Sequence, residues 1–219
     1  MRARVLLADD HQVLTDGLTK LLGQYYDVVA TAANGHELIS LARQHNPDVI
    51  VTDISMPLLN GMDAIRVLKK SGIKSKVLVL TMHSDAALAV EAFRAGASAY
   101  VLKHAAGDEI RQAVDTLLRG RVYLSTSFPI DLVTLLADAA RHPSQEGPSL
   151  TRRQREVLQL VAEGKTMKEV AGLLSISTRT AESYKYEIMR VLGVHTNAEL
   201  VQYAIRIGMI TVAPLHPAA

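Results

Sequence analysis

The stretch Val49-Ile50-Val51-Thr52-Asp53-Ile54-Ser55-Met56-Pro57 runs from apolar, β-branched residues straight into a carboxylate, and a proline follows four residues later. A short apolar run bounded by turn residues predicts a strand that is buried on both faces. In open parallel sheets, ligands bind beyond the carboxyl ends of the strands. The pattern therefore predicts Asp53 at a functional strand end, whereas a solvated turn residue is the alternative if the other strand ends carry nothing.

Apolar runs alternate with segments of helical periodicity over residues 1–120. The predicted strands are Ala3–Ala8, Asp27–Ala32, the strand ending at Asp53, Lys76–Met82 and Ala99–Lys103. The predicted helices contain Val13 to Leu22, Glu37 to His45, Ile65 with Leu68, Ser84 to Ala95, and Asp108 to Arg119. Five β-α units with short connections predict a five-stranded, doubly wound parallel sheet, flavodoxin-like, with helices on both faces.

Reactive side chains stand at four of the predicted strand ends. Asp9 and Asp10 end the first strand, Asp53 the third, Thr81 the fourth and Lys103 the fifth. Three clustered carboxylates repel one another unless a cation lies among them, and hard oxygen ligands suit Mg²⁺. We expect Asp53 to attack phosphorus while Mg²⁺ and Lys103 offset the developing charge and Thr81 donates its hydroxyl. The competing interpretation makes Asp9 and Asp10 helix caps and Lys103 a surface lysine.

Residues 1–120 resemble the receiver domain of bacterial two-component response regulators. The resemblance rests on the acidic pair Asp9-Asp10, on Asp53 followed by Met56-Pro57, on Thr81 and on Lys103. It implies that Asp53 is the phospho-acceptor and that Mg²⁺ is held by Asp9, Asp10, Asp53 and the backbone carbonyl of Ser55. It also implies that Tyr100 is the switch aromatic that turns inward when Thr81 moves toward the phosphoryl group.

One position departs from the pattern of many receivers. A proline often follows the lysine through a cis bond, but here His104 follows Lys103, and a cis bond before a non-proline residue costs about 2.5–4 kcal/mol. Two further residues, Ser55 and His83, follow Asp53 and Thr81 by two positions and are expected to tune dephosphorylation by placing or blocking water. A nucleotide enzyme is disfavoured, because the first β-α turn is acidic and lacks a glycine-rich phosphate loop.

A polar segment separates the first 120 residues from a second predicted domain. Phe128-Pro129 interrupts the chain, residues 130–140 predict a short helix, and residues 141–148 contain two prolines and a glycine. That composition is typical of a linker. We therefore assign residues 1–120 to a receiver domain, 121–148 to a linker with a short helix, and 149–212 to a helical domain.

The helical domain is predicted to contain four short helices, three of which open with a capping box. In such a box, a Ser or Thr and a Glu or Gln three residues later satisfy each other's free backbone N–H groups. The pairs are Thr151 with Gln154, Thr166 with Glu169, and Thr196 with Glu199. A helix that ends at Leu174, a tight turn, and a helix over residues 177–192 predict a helix-turn-helix.

The second helix of this predicted helix-turn-helix is amphipathic, with apolar residues at helical spacing from Ala181 to Leu192. A charged, solvated helix would give the same pattern. The stretch from Leu150 to Ile210 resembles the LuxR-type helix-turn-helix through Leu150-Thr151-x-Arg153-Gln154-x-Glu156-Val157-Leu158, Ala162-Glu163-Gly164, Lys168-Glu169-Val170-Ala171, Ser177-x-Arg179-Thr180-Ala181-Glu182 and Leu192-Gly193-Val194.

The LuxR resemblance implies which outward side chains contact DNA. Base contacts are implied for Glu182, Ser183 and Tyr186. Phosphate contacts, which supply affinity and salt dependence, are expected from Arg179, Thr180, Lys185 and Arg190, with Lys168 as a helper. Family members often carry an Asn-His pair where this chain has Ser183-Tyr184, so the base preference stays open. One such domain buries little surface, so dimeric binding to paired half-sites is expected.

Composition and charge narrow the class of protein further. The 219 residues are 48% hydrophobic and 21% charged, and they include no cysteine, which excludes disulfides and thiolate metal sites. We see no signal peptide and no run of 18 apolar residues, so we expect a cytoplasmic protein without a membrane span. Residues 1–120 hold 13 basic and 13 acidic residues, whereas residues 149–210 hold 9 and 6. The resulting net charge of +3 in residues 149–210 suggests a polyanionic partner for the C-terminal domain.

Together the two resemblances imply a response regulator of the NarL/FixJ type. We expect a sensor histidine kinase to phosphorylate Asp53, DNA to bind the helix-turn-helix, and the phosphorylated protein to form a homodimer. We expect no enzymatic activity beyond the receiver's own phosphotransfer and dephosphorylation. Two alternatives stay open: a constitutive DNA-binding protein whose receiver serves only dimerisation or ligand sensing, and a phosphate sink whose C-terminal domain binds another protein.

Overall fold

The computed structural model describes residues 2–104, 107–126, 128 and 150–210. The chain divides into two compact units, with the boundary between Gly147 and Pro148. The predicted helix at 130–140, most of the predicted linker and the residues after 210 lie outside the described residues. Among the described residues, no helix is both long enough and apolar enough to cross a lipid bilayer.

In the described residues, the first unit is built on a six-stranded parallel sheet. Its strands are β1 (Arg4–Ala8), β2 (Asp27–Ala32), β3 (Val49–Thr52), β4 (Lys76–Thr81), β5 (Ala99–Leu102) and β6 (Tyr123–Leu124). Their spatial order is β2-β1-β3-β4-β5-β6, and all neighbouring strands run parallel. The strand order reverses between β1 and β3, and such a reversal opens the crevice in which α/β proteins bind ligands.

Helices cover both faces of the sheet. They are α1 (Gln12–Gly23), α2 (Gly35–His45), α3 (Gly61–Lys70), α4 (Ala86–Ala95) and α5 (Gly107–Leu118). Helices α2, α3 and α4 share one hydrophobic cluster with the sheet, and α1 and α5 share the other. Successive strand residues enter opposite clusters, as Ile50 and Val51 do in β3. Because both faces are buried, the strands are continuous apolar runs, as the sequence pattern predicted.

The predicted class, a doubly wound parallel sheet with a separate helical unit, is confirmed, but the sheet formed by the described residues has six strands rather than five. The additional strand, β6, pairs with β5 through Ala99 with Tyr123 and Tyr100 with Leu124. The sheet therefore continues past residue 120. A strand of two residues is too short to produce a recognisable apolar run or alternation, which explains why the sequence pattern did not reveal it.

The second unit contains the helices α6 (Arg152–Ala162), α7 (Met167–Leu174), α8 (Thr178–Leu192) and α9 (Asn197–Arg206). All three predicted capping boxes are confirmed, at the starts of α6, α7 and α9. Between α7 and α8 the chain turns at Ser175, whose φ of 51° is left-handed. Ser177 then caps α8 by accepting a hydrogen bond from the Thr180 N–H at 3.0 Å. The predicted helix–tight turn–helix arrangement is thereby confirmed.

In the part of the second unit that the structure describes, the core combines apolar residues from α6, α7, α8 and α9 with a buried carboxylate, that of Glu156. Val157, Val170, Ile188 and Leu200 are each almost fully buried. Glu156 is buried beside them, and its oxygens lie 2.9 Å from Arg152 Nε and 2.7 Å from Arg153 Nη1. A buried charge is tolerated when it is paired in this way, so the two arginines belong to the scaffold of this unit.

Candidate functional site

Asp53 follows β3 directly and is held by the backbone around it. Its N–H donates to the Ala8 carbonyl at 2.8 Å, and its Oδ1 accepts from the Ile54 N–H at 2.6 Å. Helix α3 begins close to this turn, since the Gly61 N–H donates to the Ile54 carbonyl at 2.8 Å. A Cβ at position 61 would overlap the Asp53 carbonyl oxygen, so only glycine fits there. The carboxylate is buried, with 4% of the residue exposed.

Lys103 joins Asp53 to Asp9 from the end of β5. Its Nζ donates to Asp53 Oδ2 at 2.7 Å and lies 2.7 Å from Asp9 Oδ2. The side chains of all three residues are at least nine-tenths buried. The interpretation of Lys103 as a surface lysine is therefore wrong: its ammonium is enclosed between two carboxylates from different strand ends.

Burial and charge pull the ionisation of this cluster in opposite directions. Burial raises the pKa of the Asp53 carboxyl above its ordinary value, although the Lys103 ammonium opposes the shift. For Lys103, burial alone lowers the pKa, but Asp53 and Asp9 together raise it above the ordinary value of an ammonium. Lys103 is accordingly a fixed positive charge, and Asp53 is a carboxylate with incomplete charge compensation.

The acidic pair completes a set of oxygen ligands at the same edge of the sheet. Ligand atoms of Asp9, Asp10, His11 and Asp53 lie within 4.8 Å of one another. Asp9 Oδ2 is buried, and the Lys103 ammonium at 2.7 Å is its partner in this structure. One ammonium cannot balance three neighbouring carboxylates, and such a set of oxygen ligands suits a hard divalent cation such as Mg²⁺.

His11 is a residue of this cluster that the sequence pattern did not identify. Its Nδ1 lies 3.0 Å from one oxygen of Asp9 and 3.0 Å from one oxygen of Asp10. It occupies the N-cap position of α1 without a side-chain cap, and its N–H donates to Asp9 Oδ1 at 2.9 Å. Asp9 therefore satisfies a backbone N–H at the start of α1, as the capping interpretation expected, and also belongs to the acidic cluster. The available signal for His11 was its position, directly after the acidic pair.

Thr81 lies at the end of β4, next to the strand that carries Asp53. The register pairs Thr52 with Val79 and Thr81 with Leu102, so Thr81 lies between the ends of β3 and β5. Thr81 is fully buried, and its Oγ1 accepts a hydrogen bond from the His83 N–H at 3.3 Å. The His83 ring in turn lies 3.1 Å from the Ser55 hydroxyl. The loop after β4 is therefore tied to the loop after Asp53.

Tyr100 is directed into the protein in this structure. The residue is fully buried, and its hydroxyl donates to the His83 carbonyl at 2.9 Å. Burial raises the pKa of the Tyr100 phenol, which keeps the hydroxyl protonated as a donor. The described residues contain no cis peptide bond, so the bond between Lys103 and His104 is trans, in keeping with the cost of a non-proline cis bond.

The outward face of α8 carries the side chains that the sequence pattern predicted to contact DNA. Ala181 and Ile188 are buried on the inner side of the helix. Of the side chains predicted to contact DNA, Arg179, Thr180, Glu182, Ser183, Tyr186 and Arg190 are exposed, Lys185 is half-buried at the margin, and Lys168 is exposed on α7. The predicted division of this helix into an inner and an outer face is thus observed.

Two details distinguish the residues on this face. Tyr186 is 64% exposed, and the Lys185 ammonium lies 5.2 Å from the centre of its ring. The Ser183 hydroxyl donates to the Arg179 carbonyl at 3.0 Å, so its hydrogen is already engaged within the helix. The face therefore offers cations at its margins and an aromatic ring between them, a combination suited to contacts with a nucleic acid.

Two family models match the chain. The model described as the response regulator receiver domain matches residues 5–115. The model described as bacterial regulatory proteins of the luxR family matches residues 148–204. The first match covers β1 to β5 and the helices as far as most of α5, but not β6. The second covers α6, α7, α8 and most of α9.

Known proteins match over nearly the whole chain. Oxygen regulatory protein NreC of Staphylococcus carnosus (strain TM300) is 35% identical over an alignment of 210 residues, and the match covers 93% of this chain and 97% of NreC. Transcriptional regulatory protein MctR of Rhizobium johnstonii is 32% identical over 212 residues, 96% of each chain.

Solved structures of the RcsB response regulator are similar to this chain. One from Salmonella typhimurium has a TM-score of 0.63 at 28% identity and covers 94% of this chain and 98% of its own. A structure of two RcsB dimers bound to two parallel DNAs has a TM-score of 0.56 at 28% identity, with the same coverage.

Proposed function

Because this chain belongs to the response regulators that join a receiver domain to a LuxR-family DNA-binding domain, we propose that phosphorylation of Asp53 controls its binding to DNA and thereby transcription. The observation that carries this proposal is that Lys103 Nζ lies 2.7 Å from Oδ2 of Asp53 and 2.7 Å from Oδ2 of Asp9. A sensor histidine kinase is the proposed phosphoryl donor. Since the proposed partner is genomic DNA, the proposed site of action is the bacterial cytoplasm.

The proposed reaction is transfer of a phosphoryl group to the Asp53 carboxylate. A carboxylate oxygen of Asp53 attacks phosphorus, the bond between phosphorus and the donor's imidazole nitrogen breaks, and the imidazole keeps the electron pair and takes up a proton. Lys103 offsets the charge on the phosphoryl oxygens, and the Thr81 hydroxyl donates to one of them. Asp9, Asp10, Asp53 and the Ser55 carbonyl would hold Mg²⁺, which supplies further charge neutralisation when it is bound.

The state of Asp53 is proposed to reach the rest of the receiver through Thr81 and Tyr100. Thr81 accepts from the N–H of His83, and Tyr100 donates to the carbonyl of the same residue. Movement of Thr81 toward a phosphoryl group therefore disturbs the loop that holds the Tyr100 hydroxyl. We propose that this shifts a two-state equilibrium and that the phosphorylated state dimerises and binds paired DNA half-sites.

The proposed DNA contacts divide by chemistry. Arg179, Thr180, Lys185 and Arg190, with Lys168, are proposed to contact phosphates, which give affinity without sequence information. Glu182, Ser183 and Tyr186 are proposed to reach base edges in the major groove, where each good pair discriminates by about 1–3 kcal/mol. The placement of these side chains on the outward face of α8 and at the start of α7, exposed except for the half-buried Lys185, supports their proposed contact with DNA.

The test of the proposed acceptor compares the wild type with Asp53→Asn. Both proteins receive a labelled small phosphodonor such as acetyl phosphate with Mg²⁺, and acid-stable and base-labile label on the protein is measured. We expect incorporation into the wild type and none into Asp53→Asn, because an amide cannot form the acyl phosphate. Equal incorporation into both proteins would disprove the assignment of Asp53.

The test of the proposed control uses DNA footprinting with and without the phosphodonor. A gain in DNA affinity that depends on Asp53 supports phosphorylation-dependent regulation. Unchanged affinity in a phosphorylated protein would instead support a constitutive DNA-binding protein. Failure to bind any DNA at low salt would support a phosphate sink whose second unit binds another protein.

A further inference from the structure

Phe128 is buried against Tyr100, at the point where the chain leaves the sheet. Only 7% of Phe128 is exposed, and it belongs to the hydrophobic cluster that contains Tyr100. The ring centres lie 5.4 Å apart with an interplanar angle of 74°, so the two rings meet edge to face. Edge-to-face packing depends on the position and orientation of both rings, so neither ring can turn without changing the contact.

The segment that leads to Phe128 is fixed on two sides. The Ser125 N–H donates to the Tyr100 carbonyl at 2.9 Å, and the Phe128 N–H donates to the Ser125 carbonyl at 3.1 Å. From α5, a carboxylate oxygen of Glu109 accepts from the Ser125 hydroxyl at 2.6 Å and from the Thr126 N–H at 3.1 Å. Phe128 is therefore presented to Tyr100 by an anchored strand end, which limits how far it can follow a moving ring.

The opposite end of Tyr100 is bonded to the loop next to the acidic site. Its hydroxyl donates to the His83 carbonyl, and the His83 N–H donates to the Thr81 hydroxyl oxygen. Tyr100 thus contacts the Thr81 loop with its hydroxyl and Phe128 with its ring. A change at the Thr81 loop or at Phe128 therefore alters the free energy of the inward position of Tyr100. Because such coupling is reciprocal, each of the two contacts influences the other.

We propose that Phe128 is a positioning residue: its ring holds Tyr100 inward and passes a change at Asp53 to the chain segment that leads toward the DNA-binding unit. This inference rests on the proposed function, because it assigns a regulatory contact to the same receiver site. It predicts that loss of the aromatic edge weakens the coupling between phosphorylation and DNA binding without preventing phosphorylation of Asp53.

A spectroscopic test uses the small number of phenylalanines. The chain contains two, Phe128 and Phe93, so the full-length protein labelled with 4-fluorophenylalanine gives two ¹⁹F resonances, which Phe93→Leu assigns. We expect acetyl phosphate with Mg²⁺ to shift the Phe128 resonance in the wild type but not in Asp53→Asn. A Phe128 resonance that does not move while Asp53 becomes phosphorylated would overturn the inference.

A functional test measures the gain in DNA affinity produced by acetyl phosphate, on a duplex that the phosphorylated wild type selects from a random pool. Coupled sites typically change each other's affinity by about 5–150-fold, and we expect Phe128→Leu to keep less than about a third of the wild-type gain. Phe128→Tyr, which keeps the aromatic edge, is expected to restore most of it. The control Ile39→Val removes a methyl group from the same hydrophobic cluster on α2 and is expected to keep the full gain.

The outcomes separate this inference from the proposed function. Suppose that the wild type is phosphorylated on Asp53 and gains DNA affinity. An equal gain in Phe128→Leu would then refute the role of Phe128 and leave the proposed function intact. A wild type that shows no gain would remove the proposed regulation and this inference with it. If Phe128→Leu does not fold, the fluorine measurement on the wild type decides the question.

Discussion

Asp53 and Lys103 are charged side chains in a site that is almost completely buried. The carboxylates of Asp9 and Asp53 both approach Lys103 at 2.7 Å, and the three side chains are nearly inaccessible to water. A buried charge is costly unless it is well compensated, and one ammonium faces two carboxylates here. A divalent cation would relieve this imbalance, which is consistent with the proposed binding of Mg²⁺.

Asp53→Asn is predicted to stabilise the metal-free protein at neutral pH. Because the pKa of folded Asp53 is raised, its protonated form favours folding, and that contribution is lost as the pH rises through the folded pKa. An asparagine avoids this loss, so in EDTA we expect the melting temperature to rise by about 2–4 °C, equivalent to about 1 kcal/mol. The difference should shrink as the pH falls, because wild-type Asp53 then becomes neutral too.

The control for this measurement is Asp108→Asn, since the Asp108 side chain is 91% exposed and its neutralisation should leave the melting temperature nearly unchanged. An Asp53→Asn protein that melts below the wild type in EDTA at neutral pH would contradict the argument. It would mean that the ion pair with Lys103 outweighs the burial of the carboxylate.

Among the helices, α8 shows how an element can serve both the core and a ligand. Ala181 and Ile188 anchor its inner face, and its first turn is fixed by the Ser177 cap. The outer face is left to polar and aromatic side chains, among which Tyr186 is 64% exposed. A rigid helix that presents such a face can enter a major groove without rearrangement.

Arg179→Ala is predicted to weaken DNA binding about equally for all sequences. A phosphate contact releases counterions, so its loss should reduce the slope of log K against log salt by about 1. Tyr186→Ala, in contrast, should change the base preference and keep the slope. The measurement is titration of labelled duplexes at several salt concentrations.

Arg94→Ala provides the matched control, because Arg94 is also exposed but lies on α4 of the first unit. The slope of log K against log salt for Arg94→Ala should equal that of the wild type. If Arg179→Ala instead affects one DNA sequence much more than others, Arg179 reads bases rather than phosphates.

At the scale of the whole molecule, two units with different charge share one chain. The first 120 residues carry equal numbers of acidic and basic residues, while the excess of positive charge lies in residues 149–210. The acidic site around Asp53 therefore lies on the first compact unit, and the proposed DNA-binding face of α8 lies on the second. A signal from the acidic site must therefore pass from one compact unit to the other.

The assembly is predicted to respond to phosphorylation. We expect acetyl phosphate with Mg²⁺ to convert the wild type from a monomer to a dimer in sedimentation velocity at micromolar concentration, and to leave Asp53→Asn monomeric. The physical reason is that one helix-turn-helix unit buries too little surface for stable specific binding, so paired half-sites need two copies. A dimer that forms equally well without the phosphodonor would support constitutive DNA binding instead.

The amino-acid sequence by itself determined the class of the fold, the capping boxes and the side chains that end the strands. These features depend on local rules: apolar runs predict buried strands, and a Thr followed three residues later by Glu or Gln predicts a helix start. The outward face of α8 was predictable for the same reason, because helical periodicity alone divides Ala181 from Glu182 and Tyr186.

Only the tertiary structure decided how those side chains are compensated and connected. The enclosure of Lys103 by two carboxylates, the approach of His11 to the acidic pair and the packing of Phe128 on Tyr100 join residues from different elements or depend on side-chain orientation. The strand β6 is too short to leave a periodic signal, and its existence depends on the open edge of β5. Apart from the approach of His11 to its sequence neighbours Asp9 and Asp10, these contacts arise from the packing of segments distant in the sequence, and no local pattern in the chain encodes them.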